Sequence, residues 1–243
     1  MKPNFKNIII GILALTILGL SCYFIYNKYK HEDNIDTPVV EDEKKIQEDL
    51  TNIIKEYGLD GLGYEESDIT FSDKPRNSQL YLIALYYTDT NKDKDYILSR
   101  EELDDYYEKV YGYKPVSYIN IKCQVEKQDL YIYKDNKYYF NKSHPGHGYY
   151  GYGFIDSFIT DYSKNDNTYT ISILFLRGNE MEGYSVNEND LFSDDSYKGD
   201  YTDKSLSKYF RDNIDHFIKG MKYQYTFEKN NGRYILKSFK KIK

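Results

Sequence analysis

The 243-residue sequence predicts an α+β domain behind an N-terminal transmembrane helix, with the domain's helices packed on a curved antiparallel sheet. Three observations carry that expectation. A charge-free apolar run stands near the N-terminus, apolar residues then recur at helical spacing as far as Gly112, and beyond it the spacing shortens to two.

From Ile8 to Tyr26 runs IIIGILALTILGLSCYFIY, 19 residues without a charge, with Lys2 and Lys6 before it and Lys28 and Lys30 after it. As a helix it spans about 28 Å, close to the hydrocarbon thickness of a bilayer. The expected layout is a cytoplasmic tail over 1–7, a signal anchor over 8–26, a polar linker over 27–41 and an extracytoplasmic domain over 42–243. Cys22 follows Gly19-Leu20-Ser21, so a cleaved leader acylated at Cys22 is the competing reading. The apolar run continues past that cut through Tyr23 to Tyr26, which favours the uncleaved anchor.

Within the domain, Ile46, Leu50, Ile53, Ile54 and Tyr57 form one stripe of a helix over 42–57, closed by Gly58. A second helix begins at Asn77 or Ser78 and buries LYLIALYY, with a strand as the competing reading. A third runs from Arg100 to Val110 behind Ser99-Arg100-Glu101-Glu102, an S-x-x-E capping box. Strands are expected over 117–125, 129–134, 137–141, 153–162 and 168–177, joined as an antiparallel meander. The stretch 178–202 is expected to be a long surface loop, and 203–219 a fourth helix. Asn231-Gly232 then turns a closing hairpin. Helices on one face of such a sheet are loosely like NTF2-like or cystatin-like modules.

Composition narrows the partners. The net charge is −6, and the first thirty residues hold four lysines and no acid, so the domain itself is more acidic still. An acidic surface repels phosphate backbones, and no nucleic-acid partner is expected. Two cysteines, one in the leader, leave the domain without an internal disulfide. Thirty tyrosines and no tryptophan point to a core that buries rings with their hydroxyls near water and is modest in aliphatic content.

Two stretches invite a site. Asn91, Asp93 and Asp95 with Glu102 fall at positions 1, 3, 5 and 12 of an EF-hand-like loop. Tyr96 stands where the turn needs glycine, so any calcium bound here is weak, and the capping box accounts for Ser99 and Glu102 without a metal. The second is Lys142 to Gly153, with His144, His147, Tyr149, Tyr150 and Tyr152 among glycines. Pro145-Gly146 between the histidines forbids a helical pair, so zinc has no spacing that selects a third ligand. The tyrosines on such a connection suit a ligand-binding lip.

Gly112-Tyr113-Lys114, Ile119 to Cys123, Asp129 to Lys134, Tyr138 to Asn141 and above all His144-Pro145-Gly146-His147-Gly148 resemble a group of uncharacterised membrane-anchored proteins of low-GC Gram-positive bacteria. The resemblance covers about 111–177 and implies architecture and location, with no activity attached. There is no G-x-S-x-G, HExxH or Walker loop. The expectation is therefore a membrane-tethered extracytoplasmic binding module for a protein or cell-wall partner, without cofactor beyond weak calcium. The alternative is a metal-assisted hydrolase working through His144 and His147.

Overall fold

A computed structural model describes residues 42–62, 67–90, 95–123, 128–144, 153–179, 183–187, 189–190 and 202–243. The leader over 8–26, with Cys22, lies outside them. Among the described residues no helix is long and apolar enough to cross a membrane.

Helix α1 (Glu43–Glu56) buries Ile46, Leu50 and Ile54 on the stripe the sequence marks. Gly58 adopts φ +63°, a left-handed conformation that glycine enters without strain, and the chain turns into a buried 3-10 turn, Leu59–Gly61. Strand β1 (Asp68–Thr70) and helix α2 (Asn77–Thr90) follow. Strand β2 (Leu98–Ser99) leads directly into α3 (Arg100–Val110). The capping box of α3 is complete: Glu102 N–H donates to Ser99 Oγ at 3.2 Å, and Ser99 N–H donates to Glu102 Oε2 at 2.7 Å.

The strands do not form one meander. They divide into two antiparallel sheets, because β2, β3 (Ile121–Lys122), β4 (Asp129–Lys134) and β5 (Lys137–Phe140) close into a small sheet of order β2-β5-β4-β3. Of the expected strand over 117–125, the described residues 117–123 hold only β3. The amide of Asn77 donates to Lys122 O and accepts from Lys122 N–H, so a side chain takes the place of the next strand.

The larger sheet holds β6 (Gly153–Asn165), β7 (Thr168–Asn179), β8 (Gly183–Val186), β9 (Asn189–Asp190), β10 (Lys222–Asn230) and β11 (Arg233–Ile242), with β1 at its end. Register shifts after Phe154, Ile159 and Thr226 curl it. Strand β8 corrects the expected loop over 178–202, since Leu176 to Asn179 of β7 pair with Val186 to Gly183. The fourth helix is also two pieces, α4 (Asp203–Asp212) and α5 (Ile214–Phe217). Asn213 breaks it at φ −112° and ψ 22°, where its side-chain amide donates to Tyr209 O at 2.9 Å.

Helices cover both faces of the larger sheet rather than one. Tyr169, Ile171, Ile173 and Phe175 of β7 enter the main core with α1, α2 and α3, while the alternate Leu174 and Leu176 pack with Tyr184, Val186, Leu206, Phe210 and Phe217. One edge of β7 is shared: Thr168 to Ile173 pair with β10, and Leu176 to Asn179 pair with β8. Asn187, fully buried at φ +39°, fills the gap between them. Its N–H donates to Phe175 O at 3.0 Å, and its Oδ1 accepts from Phe175 N–H at 2.9 Å. Its Nδ2 donates to Ile173 O at 3.2 Å and to Met221 O at 2.9 Å.

Two carboxylates tie elements to the large sheet in opposite electrostatic regimes. Asp60 and Arg177 form a buried ion pair, with Nε 2.9 Å from Oδ2. Burial pushes the Asp60 carboxyl above its ordinary range against the pull of Arg177. Asp156 beside the first bulge is only partly exposed; burial alone raises it. Bidentate Arg211 (2.8 and 2.5 Å) and Ser207 Oγ (2.5 Å) outweigh that and hold it low.

Removing either partner of the buried pair strands a charge. Asp60→Leu or Arg177→Met alone should cost about 3–5 kcal/mol in urea unfolding, and the double replacement should recover most of it. The low-lying Asp156 adds stability that is present above the unfolded aspartate value of about 3.9. That stability fades as pH falls through the lower folded value. Acid unfolding curves of wild type and Arg211→Ala should therefore begin to converge as pH falls below about 4 and meet only below the lower folded value.

Candidate functional site

A groove of about 400 Å³ opens where α1, the end of α3 and the β10–β11 turn meet, within the roughly 300–1,000 Å³ range of ligand sites. One wall comes from α1 and the residue that follows it. Asp49, Asn52, Ile53, Glu56 and Tyr57 line the groove, and their spacing of three and four residues places them on one helix face. The other wall is Lys109 of α3 with Gly232, Arg233 and Tyr234. Asn231 at φ +49° and Gly232 at φ +79° form the tight turn that Asn-Gly favours, so Arg233 leaves a rigid corner.

The backbone beneath this groove is fixed by tyrosine hydroxyls. Tyr106 donates to Tyr57 O at 2.6 Å, and Tyr225 donates to Leu59 O at 3.0 Å. The Tyr57 ring meets Tyr106 edge-on at 5.4 Å and lies 6.4 Å from Tyr86. Tyr234 is packed edge-on against Tyr169 at 5.1 Å, with the Lys229 ammonium 5.1 Å from its ring centre. Partial burial, then the neighbouring Glu56 charge, raises the Tyr57 phenol, and Glu56 also hydrogen-bonds it. The Tyr57 phenol therefore stays neutral. Asp49, Lys109 and Arg233 make no ion pair among the described residues.

Of the residues singled out from sequence, the described ones, Asp95, Glu102 and His144, do not line the groove. Asp95 is exposed and Glu102 half-buried, with one Glu102 oxygen engaged by the helix cap; Asn91 and Asp93 lie outside the described residues. His144 is buried. Its N–H donates to Asn141 O at 2.9 Å, and Asn141 Oδ1 accepts from Ser143 N–H, so the histidine begins its connection from a hydrogen-bonded turn. His147, Tyr149, Tyr150 and Tyr152 lie outside the described residues. Among the described residues no group of three His, Cys, Asp or Glu side chains converges as a metal site.

Sequence reasoning passed over the groove. Ile53 and Tyr57 stand on the core stripe it identified, but the second wall arrives from far along the chain, and no local pattern announces that meeting. Compared with known proteins, the chain matches no protein-family model, no curated protein and no solved structure.

The cap and any calcium compete for Glu102. Ser99→Ala should lower stability by about 1 kcal/mol, whereas Glu102→Gln keeps both cap bonds and should leave the melting temperature nearly unchanged. A bidentate twelfth ligand needs both oxygens, so millimolar calcium should shift wild type and Glu102→Gln alike in thermal denaturation.

Proposed function

We propose that the chain is a membrane-tethered extracytoplasmic binding module that recognises a protein or cell-wall partner through the groove beside α1. The observation that carries this reading is a ligand-sized opening lined by two tyrosine rings and by Asp49, Lys109 and Arg233, which make no ion pair among the described residues. Charged side chains left bare in a concavity gain most from a partner that completes them, and aromatic rings supply contact area at small entropic cost. The tether rests on the 19 uncharged residues from Ile8 to Tyr26 with lysines on both sides. Helices held against a curled antiparallel sheet support a loosely NTF2-like or cystatin-like architecture, and the HPGHG-containing segment supports kinship with membrane-anchored proteins of low-GC Gram-positive bacteria. Fold likeness by itself assigns no ligand, so the reading rests on the groove.

Protease added to intact protoplasts should remove the folded domain of the full-length chain and leave a short membrane-bound fragment. A domain that survives until the cells are lysed overturns the extracytoplasmic placement.

A further inference from the structure

The groove carries opposite charges that do not meet. Asp49 and Glu56 stand on the α1 wall, with Lys109 and Arg233 on the other, and no ion pair joins the two walls among the described residues. Asp49, Lys109 and Arg233 are thus held apart across an opening also lined by Ile53, Tyr57 and Tyr234. A ligand with a single charge satisfies one wall and repels the other. A neutral sugar could stack on the rings and would leave both walls bare.

Resting on the reading of the groove as a binding site, we propose that its ligand is a short unblocked peptide lying across it. The ammonium end of the peptide meets Asp49, and the carboxylate end meets Lys109 and Arg233. An apolar side chain between them packs on Tyr57 and Tyr234. Asn52, exposed on the α1 wall, offers an amide that can both donate to and accept from a peptide bond. The opening of about 400 Å³ exceeds what a single free amino acid fills. Gly232 contributes to the fit, since nothing lies within 4 Å of the place where a Cβ would stand, leaving that side of the wall open to a ligand backbone. Because the basic groups are exposed, charge contributes modestly to affinity and is weakened by salt.

The test titrates full-length protein in detergent micelles with alanyl-leucyl-alanine, its N-acetyl form, its C-amide form and a neutral chito-oligosaccharide, following the Gly232, Arg233 and Tyr234 amide resonances. The unblocked peptide should bind about fivefold more tightly than either blocked form. Asp49→Asn should erase the effect of N-acetylation alone. The double variant Lys109→Ala/Arg233→Ala should erase the effect of C-amidation alone, a coupling that general loss of fold cannot imitate. Both basic positions are exposed, so these replacements leave the core intact. Equal binding of blocked and unblocked peptides at these resonances overturns the dipolar ligand while the groove survives as a site. Saturable binding of the chito-oligosaccharide, indifferent to Lys109 and Arg233, replaces the peptide with a glycan. Silence of these resonances toward every probe overturns the groove and this inference together.

Discussion

Strand β7 is the constraint on which the rest of the molecule hangs. It has neighbours along both edges and apolar layers on both faces, so no residue from Tyr169 to Gly178 is exposed. A strand in that position must be apolar in nearly every register, and Tyr169-Thr170-Ile171-Ser172-Ile173-Leu174-Phe175-Leu176 meets the demand most fully where both faces are covered. The shared edge leaves a seam at Phe175, where the β10 ladder has stopped and the β8 ladder has not begun. An aliphatic side chain at position 187 would bury the Phe175 and Ile173 backbone groups without partners. Asparagine supplies both a donor and an acceptor there and tolerates the positive φ.

The groove inherits its geometry from this hub. Arg177 near the end of β7 reaches Asp60 in the turn after α1, and Tyr225 of the adjacent β10 reaches Leu59 O in the same turn. The C-terminal end of α1 is thereby pinned to the sheet, and with it the wall that carries Glu56 and Tyr57. A binding surface on pinned elements loses little freedom when a ligand arrives, which favours affinity from few contacts. Exposed Arg233 and Lys109 remain free to adapt on the opposite wall.

Much of the fold was legible because local chemistry spoke for it. The stripe of α1, the capping box of α3, the apolar run of α2 and the Asn231-Gly232 turn all act within a few residues. The misreadings were long-range. In β7 the polar Thr170 and Ser172 made one face look solvated, although Leu174 and Leu176 further along already hinted at a second apolar layer. Asn213 gave no sign of breaking a helix until its amide could bond back to Tyr209 O. Strand β8 is four residues long, too short for periodicity to separate it from a loop. The groove was illegible for a related reason, since its charges matter only after distant segments are brought face to face.

Burying tyrosine in place of tryptophan has an optical consequence. With no tryptophan in the chain, its near-ultraviolet absorption and emission come almost wholly from phenols. Burial lifts Tyr87 to about 12 and drives Tyr106, Tyr107, Tyr111 and Tyr225 upward as well. Exposed phenols ionise first as alkali is added, and those sealed in the interior release their protons only when the interior opens. The colour change of phenolate is thus a built-in clock for the collapse of the core, free of any engineered label.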